Sequence, residues 1–350
     1  MRLKFYCSVF CLLICLEGYS QIGGRFAFES SNLPPNARLS ALGGSLITVI
    51  DDDVALAQLN PAALDSVMDN QFSINHNFHF AGTQNGNLAF GKYLPKYGLT
   101  AHVAFQYMDY GTFDLTDAIG NINGEFSAGE YGFVLGVGKQ LNERIRGGIN
   151  FKTFIANYES YGAFAMGVDL GLHYQKPGSL TTWGIVLRNL GGELNPIVDD
   201  KRWLPFDLQI GMSKRLQHLP FRFSIIAHQM QKWYIRYDDP DVDNQTDIFG
   251  NVTSKSGFSK SVDNLFRHLI FNGEFLIGKQ EQFRIRFGYN HLRKQELKVS
   301  TFRSLAGFSF GLGFNIKKIK FDYGWGYYHI AGANNHLSLR LNMDRIFNKI

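Results

Sequence analysis

The chain has 350 residues, 45% of them apolar and 15% aromatic, with a formal charge of +5. Beyond residue 20 no run approaches the roughly 20 consecutive apolar residues of a membrane-spanning helix, so a helical membrane protein is excluded. The mild positive charge is spread out and forms no basic stripe, which gives nucleic-acid binding no support.

Arg2 and Lys4, an apolar run from Phe5 to Leu16, and small residues Gly18 and Ser20 before Gln21 form the pattern of a secretory signal peptide over residues 1–20. Cys7, Cys11 and Cys15 are the three cysteines of the chain and all lie inside it, so the expected mature protein is stabilised without disulfides. Their four-residue spacing belongs to a removed segment and not to a metal stripe. Ile14 argues against a lipoprotein, because it puts a bulky residue where lipid attachment takes a small one.

Residues 21–70 differ from the rest. Pro34 and Pro35, helix-like fragments at Ala37 to Leu42 and Val54 to Leu59, a Gly43-Gly44 break and Asn60-Pro61 predict a plug-like segment with short helices, folded into or under the remainder of the chain. From Gln71 to the end the pattern changes to alternation. Tyr97, Leu99, Ala101, Val103, Phe105 and Tyr107 fall on one face, with Gly98, Thr100, His102, Ala104 and Gln106 on the other. Phe164 to Tyr174 repeats this against a face where Asp169 sits among glycines, which suits a wet lumen better than a dry core. About fourteen such segments succeed one another, centred near Asn75, Phe90, Val103, Leu135, Ile149, Val168, Ile185, Ile210, Ile225, Phe271, Ile285, Phe310, Tyr323 and Leu339. The expectation is an all-β, transmembrane antiparallel β-barrel over residues 71–350, in the outer membrane of a Gram-negative bacterium.

Connection lengths test this independently, since a barrel with both ends in the periplasm alternates tight turns with longer surface loops. Tight turns are expected at Pro95-Lys96, Gln140 to Glu143, Lys176 to Ser179, Gln217 to Pro220, Gly278 to Glu281 and Lys317-Lys318. Longer connections run from Tyr110 to Ala128, Gly191 to Leu204, Lys232 to Arg267 and His291 to Phe302. Shorter ones fall near Gly82, Asn157 and Gly332.

Several motifs dissolve on inspection. Gly136-Val137-Gly138-Lys139 lacks the glycine a phosphate loop needs at Phe133 and the Ser or Thr it needs at Gln140. His76 and His79 stand an odd number of residues apart on a strand and point to opposite faces, which opposes joint metal ligation. Asp239, Asp241 and Asp243 mimic a calcium loop, but Asn244 replaces its glycine and Gly250 its bidentate Glu. Gly307, Gly311 and Gly313 share a face with Ser309, as expected of a wall packed closely on an inserted segment. Arg144, Arg146, Arg222, Arg284, Arg286 and Arg340 share polar faces with Asp169, Asp207, Glu274 and Asp322. A charge facing lipid near the midplane costs about 2 to 4 kcal/mol, so these should point inward and pair. The core of this lumen set is Arg144, Arg146, Asp169, Glu274, Arg284 and Arg286. No catalytic set stands out, so no enzyme activity, metal or cofactor is assigned.

Gln21-Ile22-Gly23-Gly24, NLPPNARLSALGGS from Asn32 and DDDVALAQLNPAAL from Asp51 resemble the PorQ family of outer-membrane proteins of the type IX secretion system. Gln231-Lys232-Trp233, Tyr237 to Pro240, RHLIFNGEF from Arg267, RFGYNHLRKQEL from Arg286, GFSFGLGF from Gly307 and HIAGANNHLS from His329 extend the likeness over the chain beyond residue 20. Asn60 to Ala62 is less specific, being shared with PorV proteins and fatty-acid-transporter-like barrels. The chain departs mildly from many barrels in ending with Ile350 instead of an aromatic. The resemblance implies a non-enzymatic barrel of about fourteen strands that holds a PorZ-like surface protein beside the PorU sortase and the PorV barrel, where cargo is joined to anionic lipopolysaccharide.

The long, polar Lys232 to Arg267 loop mixes aromatics with acids, the composition of a protein interface, and predicts partner binding through Trp233, Tyr234, Tyr237, Asp238, Asp239 and Phe249. Asp109 to Phe126 is the second candidate. The competing expectation is a fatty-acid-transporter-like channel with a movable hatch for hydrophobic small molecules, which should line its path with apolar residues. A surface enzyme would need an inward or rim triad.

Overall fold

Residues of period two close here into a single antiparallel ring. The computed structural model describes residues 26–79, 82–197, 201–236, 257–297, 305–316, 318–329 and 332–344. The signal-peptide reading of residues 1–20 falls outside them. A short helix, α1 (Ala37–Ala41), precedes fourteen strands among the described residues. They are β1 (Gln71–Phe78), β2 (Gln84–Leu94), β3 (Leu99–Thr116), β4 (Ile122–Gln140), β5 (Ile145–Tyr158), β6 (Tyr161–Tyr174), β7 (Thr181–Asn195), β8 (Asp207–Arg215), β9 (Phe221–Ala227), β10 (Leu269–Ile277), β11 (Phe283–Asn290), β12 (Phe308–Ile316), β13 (Ile319–His329) and β14 (Gly332–Asn342). Each pairs with its sequence neighbour, and β1 closes the ring on β14 from Gln71 opposite Asn342 to Phe78 opposite Asn335. Closure gives every strand two partners, which hydrocarbon demands because it offers no water to an open edge. Every expected strand centre falls in its own strand.

The faces obey the alternation. Val103, Leu135, Leu170 and Phe310 are 41% to 59% exposed on the outside, whereas Thr100, His102, Ala104, Asp169 and Ser309 are buried within. Outward rings pack tilted across strands, as in Phe221 with Phe275 and Phe283 with Phe314, and add to the apolar band. The expected tight turns lie at 95–98, 141–144, 175–180, 216–220 and 278–282, at the same end as the start of β1 and the end of β14. In barrels of this type that is the periplasmic end.

The opposite end departs from expectation. Tyr110 to Ala128 is no loop, because β3 and β4 continue as a projecting hairpin. Its tip is tightened by Asp117, whose carboxylate accepts from the N–H groups of Ile119 and Asn121 at 3.0 and 2.8 Å. β7 likewise runs on to Asn195, and Gly192 bridges Trp203. Two connections expected to be irregular contain helices, α2 (Gly257–Arg267) and α3 (His291–Glu296). Phe258, Val262 and Leu265 recur at i, i+4 and i+7, which is the helical period.

Residues 26–70 stand inside the lumen. Beyond the first, at 29–32, their short helices begin at side-chain caps: Asn36 accepts from Leu39 N–H at 2.8 Å, Asn60 from Ala62 N–H at 2.9 Å and Asp65 from Val67 N–H at 3.0 Å. Pro61 comes next at a first helical position, where its missing N–H costs nothing. From Phe28, packed on Phe154 toward the outer mouth, the segment descends to Met68 at the periplasmic end. Leu39, Leu42, Leu46, Ile47, Leu56, Leu59 and Leu64 meet the wall residues Ala89, Ala104, Val134, Val186, Ile226 and Ile270 in one dry core.

Candidate functional site

The wall is cut to fit this plug. A Cβ at Gly148 would run into Pro61, one at Gly171 into Asn60, one at Gly288 into Gly43 and one at Gly324 into Ala37. Only glycine lets the plug backbone approach so closely at these points. Polar wall side chains then fasten it: Ser338 Oγ accepts from Ala37 N–H at 2.8 Å, and Ser309 Oγ accepts from Gly43 N–H and donates to Ala41 O, each at 2.9 Å. Asn150 donates to Ala57 O at 2.9 Å, Asn272 to Ser45 O at 2.8 Å and Arg146 to Leu64 O at 2.7 Å. Ser309 and Gly311 thus pack on the inserted segment as expected, while Gly313 faces Asp322 and Arg286, and Gly307 faces Asn290 and Lys294.

Beneath α1, charged side chains interlock toward the periplasmic end. Glu274 of β10 accepts from Arg38 Nε at 3.0 Å, Arg222 Nε at 2.8 Å and Arg286 Nε at 3.1 Å. Asp322 takes Arg286 at 2.6 Å and Arg340 at 2.8 Å. Arg38 also reaches Asp51 at 2.8 Å and Asp53 at 3.5 Å, and Asp52 pairs with Lys320 and, at 3.4 Å, with Arg340. In this cluster the wall supplies four cations and two carboxylates, a surplus of +2, and the plug supplies Arg38 and three aspartates, a surplus of −2. Neither half is neutral without the other. Burial pushes the Asp51 carboxyl up, but Arg38, Arg222 and Arg340 outweigh it and hold Asp51 below the ordinary aspartate range.

Glu274 and Arg286 therefore stand in this cluster, while Arg284 instead meets Asn315 at 3.1 Å and Glu281 at 3.7 Å. Asp169 belongs to a separate group higher up, paired with Lys152 at 2.7 Å and accepting from Asn189 N–H at 2.8 Å. Arg146 pairs with Asp65 at 2.6 Å. Arg144 is corrected. Asn142 Oδ1 accepts from the N–H groups of both Arg144 and Ile145, so the turn closes one residue later and leaves Arg144 exposed, outside the network. The plug's own Arg38 and the run Asp51 to Asp53 are lumen partners that sequence reasoning missed. The signal was there, three consecutive carboxylates in a segment expected inside an arginine-bearing wall.

At the outer mouth a cavity of about 210 Å³ is lined by Phe26, Phe28, Tyr158, Glu29, Glu130 and Arg202, among others. Glu130 accepts from Tyr110 at 2.9 Å and also pairs with Ser30 and Tyr158. Among the expected partner-binding residues, Trp233 and Tyr234 are exposed, and the Trp233 ring stacks on His268 at 5.6 Å. Tyr237, Asp238, Asp239 and Phe249, and with them the calcium-like aspartates, lie outside the described residues. His76 and His79 do point apart, His76 to Tyr107 at 2.8 Å outside and His79 to Asn85 at 2.6 Å inside. Among the described residues no group of three or more His, Cys, Asp or Glu is placed to hold a metal ion.

A closed fourteen-stranded antiparallel barrel with a filled lumen is a fold found among solved outer-membrane barrels. Similar solved structures are of that kind. The Pseudomonas putida toluene transporter TodX superposes with a TM-score of 0.51 at 11% identity, over 88% of this chain and 96% of that one. The CymD monoaromatic hydrocarbon channel gives 0.48 at 13% identity over 90% and 97%, and a Pseudomonas aeruginosa FadL homologue 0.47 at 8% over 88% and 98%. At 11% identity the likeness to the toluene transporter shows the fold alone. No protein-family model and no curated sequence matches the chain significantly.

Proposed function

We propose that the protein is a sealed, non-enzymatic outer-membrane anchor that holds a surface partner through its extracellular connections. The observation that carries this reading is the plug, whose surplus negative charge neutralises the surplus positive charge of the wall beneath a dry core. A hatch that moved would strand Arg38 and Asp53 on the plug and Glu274 and Arg340 on the wall, all buried, at about 3 to 5 kcal/mol for each pair broken by loss of one partner, whereas Asp51 and Asp52 stand partly exposed at the periplasmic end. The PorQ-like motifs supply the finer reading: a type IX secretion component that retains a PorZ-like protein near the PorU sortase and the PorV barrel at a lipopolysaccharide surface. Trp233 and Tyr234, both exposed after β9, are the residues this reading offers to the partner.

The second reading is a channel for hydrophobic small molecules. It is favoured by the fold shared with the toluene transporter and by the mouth cavity lined with Phe26 and Phe28. One experiment separates the two. The tagged protein is drawn from detergent-solubilised outer membranes to identify what accompanies it, and the same preparation is reconstituted in vesicles to follow toluene uptake. A stoichiometric surface protein with no uptake above empty vesicles supports the anchor. Uptake without a retained partner sinks the anchor and establishes the channel.

A further inference from the structure

Helix α2 wears its polarity inside out. On a helical wheel Phe258, Val262, Leu265 and Phe266 share one face, while Asp263, Asn264 and Arg267 lie across from them. An amphipathic helix of a water-soluble surface turns its apolar stripe to the protein. Here Asn264 and Arg267 are the buried residues, and Phe258, Val262, Leu265 and Phe266 are 82%, 37%, 44% and 41% exposed. The polar face is fastened, so the helix cannot roll over. Asn264 Oδ1 accepts from the N–H groups of Ile235 and Arg236 at 3.0 and 3.2 Å, and its Nδ2 donates to Trp233 O at 2.6 Å. Asp263 accepts from Arg267 at 2.8 Å and pairs with His291 of α3 at 3.1 Å.

Two further observations say what covers the bare face. The Phe266 ring lies 6.3 Å from that of Phe271, which belongs to the outward row of β10 with Phe275 and Ile277, so the helix face continues the barrel's lipid-facing band without a break. Height agrees. The nine residues of β10, at about 3.3 Å each and a tilt of roughly 40°, rise about 23 Å, against about 25 Å for the apolar band. α2 ends at Arg267, two residues before β10 begins, and therefore sits at the upper edge of the hydrocarbon and not above it.

We propose that α2 is an interfacial helix of the outer leaflet, with Phe258, Val262, Leu265 and Phe266 seated at the boundary of headgroups and acyl chains. It fixes the connection between β9 and β10 to the membrane plane. This holds whether the barrel anchors a partner or conducts. A protein covering the same face is the alternative occupant, and continuity with Phe271 favours lipid.

The chain from residue 21 onward has no cysteine, so single cysteines report one position each. Phe258→Cys, Leu265→Cys and, at the hairpin tip where the native side chain is 85% exposed, Ile119→Cys are labelled with a nitrobenzoxadiazole dye after refolding is verified by heat-modifiable migration. Each protein is placed in phosphatidylcholine vesicles, with and without lipid carrying a doxyl quencher near the headgroup. Blue-shifted emission and at least twofold quenching at 258 and 265, with neither at 119, are expected. Emission at 258 and 265 as water-exposed and unquenched as at 119 overturns the proposal, and a later loss of exposure on adding a surface protein would assign the face to that partner instead.

Discussion

Arg38 is the residue on which the plug turns. It joins Glu274 of the wall to Asp51 and Asp53 of its own segment. A buried ion pair is weak evidence of stability as a whole, yet removing one member leaves uncompensated charge. Arg38→Met is therefore expected to lower the unfolding free energy by about 3 to 5 kcal/mol, read as an earlier urea midpoint, with the barrel still assembled. An unchanged midpoint would mean that water already reaches the cluster. Asp51 gives the same cluster a pH signature. Its folded carboxyl titrates below the unfolded value of about 3.9, so its contribution is complete above that pH and fades as pH falls through the lower folded value. Hydrogen exchange of residues 36–59, corrected for intrinsic rates, is expected to stay slow at pH 5 and to quicken only below about pH 4. Quickening already at pH 5 would deny Asp51 this role.

At the scale of elements, what was legible and what was not divide along one physical line. Strand faces could be read because period two needs no knowledge of partners, and the plug showed itself in its prolines, its Gly43-Gly44 break and its helix-like fragments. The charge pairing was hidden, because Arg38 and Glu274 lie 236 positions apart and sequence shows only that each must face inward. Arg144 was misplaced for a local reason, a turn that the Asn142 side chain extends by one residue. Helix α2 was legible in Phe258, Val262 and Leu265 but hidden by its polar neighbours. The glycines of the wall make the fit of plug to barrel testable. Gly148→Val places branched carbon against Pro61, whereas a Cβ at Gly162 meets nothing nearer than 3.7 Å. Gly148→Val is expected to speed exchange at residues 57–64 at least tenfold and Gly162→Ala to leave it unchanged. Equal behaviour of the two would show that the plug does not rest on the wall as described.

For the whole molecule, unequal strand length ties architecture to orientation. β3 and β4 run eighteen and nineteen residues, β9 only seven and β10 nine, so one side of the barrel projects as a hairpin while the other ends level with the apolar band. The projection and both extra helices lie at one end, together with the two-residue β5–β6 connection, and the turns at 95–98, 141–144, 175–180, 216–220 and 278–282 lie at the other with the two barrel termini. An even-stranded barrel of this type keeps its termini and short turns in the periplasm. A cysteine at Ile119, on the hairpin tip, should thus react with a membrane-impermeant maleimide on intact cells, and one at Lys96 or Lys176, in the short turns, only after the outer membrane is opened. Plug and wall obey the same direction, since the chain passes from Phe28 near the outer mouth to Met68 at the turn end before entering β1. Labelling at Lys96 but not at Ile119 on intact cells would invert the molecule, place Trp233 and α2 in the periplasm, and remove both the surface-anchor reading and the outer-leaflet seat of the helix together.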